Sequence, residues 1–313
     1  QTRTLQGLPY YEKFMVAFPS LSDLASAEED KVLKLWQGLG YYSRARNLHS
    51  TAKYIHFDCK GIFPSTFKGL MKLKGVGDYT ASAISSICYD IPEAVVDGNV
   101  YRFLSRFFGI ESPINSSIGH KQFKAKAMEL IDPTQPGEFN QALMEFGAIQ
   151  CTPRLPNCST CPFIKDCIAF NQNKIHLFPV KTNKIKRINK YFNFLVISDP
   201  KGRYVMERRT EKGIWQQLYQ FPLVECENKI TTPSELIQNF TLSDNYKKEI
   251  DKAKLWNNKP IIHKLSHQTL FINFWILEYE NLLPEGYTKK SLQNLAVPVV
   301  IQKFIDKFFT IAI

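Results

Sequence analysis

Lys74-Gly75-Val76-Gly77-Asp78-Tyr79-Thr80-Ala81 is a tight turn running into a helix, and Val95-Val96-Asp97-Gly98-Asn99-Val100 opens a second helix further on. Glycines on either side of Val76 let the backbone turn sharply and approach a partner without obstruction by a Cβ. Asp78 and Thr80 offer N-cap chemistry to the helix that follows, whose apolar residues Ala81, Ala83, Ile84, Ile87 and Cys88 keep helical spacing. Amides left unpaired at such a start suit a phosphate. Asp97 stands before a helix predicted over 100–108, where the helix dipole favours negative charge. Two readings fit these residues: a grip on the DNA backbone joined to a catalytic aspartate, or a plain helical hairpin with an N-capping Asp.

Working toward the N-terminus, Tyr11, Phe14, Met15 and Phe18 fall at helical spacing and predict one buried face. Ser26 and Glu29 have capping-box spacing before a helix carrying Val32, Leu33, Leu35 and Trp36. The segment Gly38-Leu39-Gly40-Tyr41-Tyr42-Ser43-Arg44-Ala45-Arg46-Asn47 then combines glycine, tyrosine and arginine. Aromatic rings beside guanidinium groups can wedge into or stack on bases while the cations hold phosphates. The same residues also fit a helix start with core tyrosines. Pro64-Ser65 begins a short helix, which with the Gly75–Gly77 turn and the next helix makes a helix–hairpin–helix. Helical spacing continues over 121–130 and 140–149, and no strand pattern precedes residue 190, so this part is expected to be all-α.

The chain has 313 residues, 44% of them hydrophobic and 13% aromatic, enough for two or three globular units. A net charge of +11 and a pI near 9.2 favour an anionic partner such as nucleic acid. No apolar run is long enough to span a bilayer, and the first residues carry no signal-peptide pattern. Of seven cysteines, Cys151, Cys158, Cys161 and Cys167 cluster with spacing C-x6-C-x2-C-x5-C. Clustered thiols of this kind read as a metal site in a reducing compartment such as the cytoplasm. Zinc and an iron–sulfur cluster both remain open, the single CxxC leaning toward the latter. Arg154 and Lys165 lie among these cysteines and could meet phosphates. Residues 171–190 are basic without an acidic residue and read as a linker. From Tyr191 the period changes to two: a hairpin turning at Asp199-Pro200-Lys201-Gly202, further strands at 220–224 and 269–277, and helices near 233–239 and 297–309. That pattern predicts a smaller α+β domain. It contains no Arg-Glu-x-x-Glu-Glu run, so separate pyrophosphatase activity is not expected.

Taken together, the motifs resemble those of the MutY-type adenine DNA glycosylases, helix–hairpin–helix enzymes that carry an iron–sulfur cluster. The resemblance rests on Gln1-Thr2-Arg3, the run Gly38 to His49, Gly75 to Ala81, Val96 to Val100 and the four cysteines. In the second domain it rests on Gly213-Ile214-Trp215, Leu218-Tyr219-Gln220-Phe221-Pro222 and Leu265-Ser266-His267-Gln268. It implies an all-α glycosylase domain over 1–170 that includes a [4Fe–4S] loop at 151–167, a linker over 171–190, and a MutT/Nudix-like 8-oxoguanine-recognition domain over 191–313. The implied reaction is base-excision repair: adenine opposite 8-oxoguanine or guanine is flipped out of double-stranded DNA and its N-glycosidic bond hydrolysed. A monomer acting on DNA in a bacterial-type cytoplasm, without a membrane, is expected.

The resemblance also assigns residues. Asp97 matches the carboxylate that stabilises or captures the oxocarbenium-like sugar, Asn99 a residue that orients the site, and Tyr79 a pocket tyrosine. Related endonuclease III enzymes have lysine where Tyr79 stands; a phenol forms no imine, so a monofunctional glycosylase is implied. Gln1 and Tyr41 match residues wedged near 8-oxoguanine, Arg44, Arg46, Gly75, Val76 and Gly77 lie on the DNA side, and Ser266 and His267 match lesion-recognition residues. Leu265 replaces an aromatic family residue, so one ring contact is lost. The cysteines carry over as [4Fe–4S] ligands. The family's general-acid glutamate precedes a Leu-Gln-Gln-Thr motif of which the sequence begins at the second glutamine. A polypeptide starting at Gln1 is therefore expected to hold its cluster and DNA but to excise slowly. The competing readings are a catalytically inactive lesion-binding protein and an endonuclease III-like glycosylase/lyase.

Overall fold

The structure is a computed structural model that describes residues 2, 4–182, 187–238, 246 and 248–311. It divides into two compact units, one formed by residues 1–58 with 185–313 and the other by 59–184. One division, at 184/185, falls within the linker expected over 171–190, and the other, at 58/59, groups the first helices with the residues after the linker. The reason is apolar: Phe18, Val32, Leu33, Tyr42 and Ala45 share one buried core with Phe194, Phe274 and Phe304.

In the first unit, helices α1 (Thr4–Ala17), α2 (Leu21–Ser26), α3 (Glu29–Trp36) and α4 (Ser43–Lys53) precede a short π-helix, Tyr54–Asp58. The capping box belongs to Ser20 and Asp23 at α2, not to Ser26 and Glu29; α3 starts at Glu28 with no side-chain cap. The face predicted on α1 is also corrected. Phe14 and Phe18 pack inward, edge-to-face at 5.6 Å, while Tyr11 and Met15 are 62% and 47% exposed. Helical spacing marked a stripe without telling which of its residues meets the core.

The strands are β1 (Ile188–Ser198), β2 (Arg203–Tyr204), β3 (Glu207–Arg208), β4 (Tyr219–Gln220), β5 (Leu223–Cys226), β6 (Lys254–Leu255), β7 (Ile261–Lys264), β8 (Gln268–Glu278) and β9 (Tyr287–Thr288). β1 and β8 run parallel in continuous register from Ile188↔Gln268 to Ser198↔Glu278, and β5 and β7 flank them antiparallel. Parallel strands need cover on both faces. Alternation supplies it: Phe192, Phe194 and Val196 face the core shared with α1–α4 and the helix Val299–Ile311, whereas Leu195 and Ile197 face a second core with Leu236 and Ile250. Asn193 and Asn273 sit opposite each other in that register, and Asn193 Oδ1 accepts from Asn273 Nδ2 at 3.3 Å and Trp275 Nε1 at 3.1 Å. Polar partners buried between these strands specify one register, since a slip would strand them.

The second unit holds α5 (Phe67–Leu70), α6 (Asp78–Tyr89), α7 (Gly98–Phe108), α8 (Ser117–Leu130), α9 (Pro136–Ile149) and α10 (Ile168–Asn171). Thr66 caps α5 by accepting from Gly69 N at 3.1 Å. Gly75 has φ +81° in the turn, a conformation that favours glycine. No side chain caps α6 at Gly77; Asp78, expected as a cap, instead meets Lys124 at 3.3 Å. Lys124 Nζ also donates to Ser82 Oγ and the Ala94 carbonyl, both at 2.7 Å, and so ties α8 to the helical hairpin.

Candidate active site

Asp97 is the N-cap of α7. Its Oδ1 accepts from Asn99 N and Val100 N, each at 2.8 Å, and its Oδ2 accepts from Asn99 Nδ2 at 2.9 Å. A carboxylate has about four lone-pair sites. Three are filled here, which leaves one on Oδ2 beside a half-buried, backbone-fixed anion. Asn99 is itself held, its Oδ1 accepting from Arg102 Nη2 at 2.9 Å. The buried Arg102 reaches onward to the carbonyls of Gly147 at 2.5 Å and Cys151 at 2.7 Å. A chain of hydrogen bonds thus runs from Asp97 through Asn99 and Arg102 to the end of α9 and the first cysteine.

Tyr79 on α6 is 40% exposed, and burial, followed by the charge of Asp97, pushes its phenol above the ordinary value. It therefore stays neutral at physiological pH and lies within electrostatic reach of Asp97. Gly147 lets α9 close on this site, because a Cβ there would stand 2.6 Å from the Asn99 carbonyl oxygen and 2.9 Å from Asn99 Cβ. Gly147→Ala is expected to cost about 1–3 kcal/mol in overpacking. It should lower both the thermal unfolding midpoint and the excision rate; a variant unchanged in both would show that the contact does not constrain Asn99.

Cys151, Cys158, Cys161 and Cys167 line one cavity whose walls include Phe103, Phe146 and Phe163, and none of the four is in a disulfide. Arg106 Nη1 donates to Cys151 Sγ at 3.3 Å, and Cys167 Sγ lies 3.6 Å from the Arg106 carbonyl oxygen. Burial, then the charges of Cys151, Cys161 and Cys167, push the Cys158 thiol up; burial acts likewise on Cys161. Four thiolates so placed need compensating positive charge. Among the described residues no group of three Cys, His, Asp or Glu side chains is arranged to hold a single metal ion. The four cysteines line one cavity, and four thiolates are the ligand chemistry of an iron–sulfur cluster.

In the other unit, a cleft is lined by the 38–43 loop, by Gly213, Ile214 and Trp215, and by residues 263–268. Tyr41 Oη lies 2.5 Å from Ser266 Oγ. Ser266 and His267 are exposed at the β7–β8 turn, with Leu265 between the strand and the cleft. His263, missed in the sequence, lines the same cleft 5.7 Å from the Trp215 ring; burial, then Lys303, push its imidazole below the usual value. Arg44 and Arg46 are committed internally. Arg44 lies over Trp36 at 5.4 Å and Tyr41 at 5.6 Å and donates to Thr2 Oγ1 at 3.0 Å, while Arg46 donates to the Gln216 carbonyl at 2.8 Å and Gln216 Oε1 at 3.1 Å. Gly75, Val76 and Gly77 lie at the surface turn before α6, and Gln1 lies outside the described residues.

Known proteins match this arrangement in two parts. Residues 1–133 match the HhH-GPD superfamily of base excision DNA repair proteins, and residues 193–307 match the NUDIX domain. The chain is thus a base-excision DNA glycosylase with a helix–hairpin–helix catalytic region and a Nudix-like α+β domain. The adenine DNA glycosylase of Buchnera aphidicola subsp. Schizaphis graminum is 34% identical over 320 residues, covering 98% of this chain and 88% of that protein. That of Mus musculus is 44% identical over 357 residues, covering 97% and 68%. Among solved structures, a thermostable thymine-DNA glycosylase superposes with a TM-score of 0.51 at 30% identity, covering 55% of this chain and 79% of its own. The chain belongs to the adenine DNA glycosylase family, enzymes of base-excision repair that hydrolyse the N-glycosidic bond of adenine in DNA. Among the described residues no helix is long and apolar enough to cross a membrane.

Proposed function

We propose that the chain removes adenine opposite 8-oxoguanine, and more slowly opposite guanine, as a monomeric, monofunctional glycosylase acting in the cytoplasm. The observation that carries this reading is the Asp97 carboxylate at the start of α7, held at three of its lone pairs with one left free. Its negative charge faces the flipped sugar and stabilises the positive charge that develops as the glycosidic bond breaks. Asn99 fixes the carboxylate's orientation. Tyr79 shapes the pocket as a neutral phenol and, lacking an amine, forms no imine with the abasic sugar.

The exposed turn Gly75-Val76-Gly77, with the uncapped start of α6 behind it, meets a DNA phosphate. Arg44 and Arg46 brace the loops around Tyr41 and Gln216 from within. Gln1, Tyr41, Ser266 and His267 serve the base opposite the adenine. Cys151, Cys158, Cys161 and Cys167 would hold a [4Fe–4S] cluster, which with four protein ligands has no open position and supplies structure and charge. Arg106 would donate to its Cys151 ligand.

The test is single-turnover cleavage of a duplex with one adenine paired to 8-oxoguanine, using full-length protein. Free adenine and an intact abasic strand are expected, with no adduct trapped by borohydride. Absence of adenine release overturns the reading, and a trapped adduct overturns its monofunctional part.

A further inference from the structure

The chain reaches Asp97 through Glu93-Ala94-Val95-Val96, a stretch that is neither helix nor strand although Ala94, Val95 and Val96 are buried. Buried peptide groups need partners, and side chains supply them here in place of a ladder. Asn140, fully buried on α9, accepts from Val95 N through Oδ1 at 2.9 Å and donates from Nδ2 to the Glu93 carbonyl at 2.9 Å. One carboxamide thus offers this segment a donor and an acceptor side by side, as a neighbouring strand would. The backbone of Ala94 turns to α8 instead: its carbonyl accepts from Lys124 Nζ at 2.7 Å, and its N lies 3.2 Å from the Met128 sulfur. Asn140 Nδ2 also donates to Ser86 Oγ on α6 at 2.9 Å.

We propose that Asn140 is a positioning residue for Asp97: it fixes the backbone two residues ahead of the carboxylate, and with it the distance from that charge to the flipped sugar. This rests on the reading of Asp97 as the charge that stabilises the sugar. The bonds that Asp97 accepts all come from Asn99 and Val100, so they set its direction relative to α7 alone. They leave open where the start of α7 stands relative to α6, which carries Tyr79. α9 supplies that second coordinate. It closes on α6, where a Cβ at Gly137 would stand 2.8 Å from the Ser86 carbonyl oxygen. Asn140 then ties α9 to the residues before Asp97, and two turns further on Gly147 abuts the Asn99 carbonyl after it. Electrostatic stabilisation requires charge held where the opposite charge develops, and a misplacement on the order of 1 Å costs about 10²-fold.

Asn140→Leu keeps much of the volume and removes the carboxamide. The readout, on full-length protein, is the ratio of dissociation constants for two duplexes with a neutral tetrahydrofuran or a cationic pyrrolidine in place of the adenosine sugar. The cation mimics the charge of the transition state, so the ratio reports how well Asp97 is aimed, whereas lost stability weakens both complexes alike. Asn140→Leu is expected to lower the preference for the cation by roughly tenfold, as for other supporting contacts around an active group. Where that variant does not fold, Asn140→Ser carries the same test. Its smaller side chain admits a water that satisfies Glu93 and Val95 without fixing them, and the same fall is expected. Ser86→Ala is the structural control, since it strands the other Nδ2 proton without touching 93–95. It should lower the unfolding midpoint and keep the ratio. Asp97→Asn should lower the ratio at least as far as Asn140→Leu. If Asp97→Asn leaves the ratio intact, the sugar-facing reading of Asp97 fails and the positioning role with it. If Asp97→Asn lowers it but the Asn140 variants do not, or if Ser86→Ala lowers it as far as they do, the positioning role alone is overturned.

Discussion

Asp97→Asn is expected to slow single-turnover adenine release by roughly 10³–10⁴-fold, the range lost when a charge-stabilising or acid–base group leaves an active site. The same change should keep the cap of α7. Asp97 caps α7 through Oδ1, which accepts from two amides, and an asparagine carbonyl can take both. Asn and Asp are near-equal N-caps, so the cap itself should change by under about 0.5 kcal/mol. The new amide NH2 faces the Asn99 Nδ2 donor that Oδ2 now accepts, and losing that half-buried bond adds about 0.5–1.5 kcal/mol. Asp97→Ala makes the contrast: it loses the charge and the cap, adding about 0.5–2 kcal/mol of destabilisation to the same catalytic loss. Two variants equal in rate but unequal in unfolding midpoint would assign the rate effect to charge. Asp97→Asn within a few-fold of wild type would remove Asp97 from the catalytic role.

What the sequence makes legible here is local, and what it hides is long-range. The Gly75–Gly77 turn, the helix after Asp97 and the hairpin at 199–202 follow from φ preferences, capping and period, and each stands where those rules put it. Asp78 shows the limit of such rules. It has cap chemistry at a helix start, yet its carboxylate pairs with Lys124, a residue on another helix. The parallel union of β1 with β8 was out of reach for the same reason, since alternation marks each strand but names no partner. Of the predicted site, Asp97, Asn99 and Tyr79 come together in one unit and Tyr41 with Ser266 in the other. Arg44 and Arg46 read as phosphate grips because a guanidinium beside a glycine loop gives no sign of where it turns. The structure spends them on Thr2, Gln216 and two aromatic rings. Arg102 carried one faint signal, its i+3 spacing from Asn99 on a helix, but its remaining partners lie on α9 and at Cys151.

Arg102 is where the second large effect is expected. Its planar, permanently charged fork satisfies Asn99 Oδ1 and the carbonyls of Gly147 and Cys151 at once, and Gly147 lies in the last turn of α9, where helical carbonyls lack intrahelical partners. Arg102→Met fills much of the volume but leaves the buried Gly147 carbonyl and the half-buried Asn99 Oδ1 and Cys151 carbonyl without that donor. At about 1–3 kcal/mol for the buried carbonyl and less for the two that water can reach, a total near 2–4 kcal/mol is expected, a large part of a domain stability of about 5–15 kcal/mol. Arg102→Lys should recover only part of this, because a compact ammonium cannot span three acceptors that a fork reaches together. The catalytic effect follows through Asn99. Without Arg102 its amide is free to turn, and Asp97 Oδ2 loses the donor that orients it. Excision measured below the variant's unfolding transition should therefore fall by roughly 10- to 100-fold, as for a lost supporting contact around an active group. Thermal unfolding, iron content and single-turnover rate, taken on the same preparations, check the claim. A variant that keeps its iron, melts with wild-type protein and excises at the wild-type rate would show that the cysteine loop and Asp97 are energetically independent.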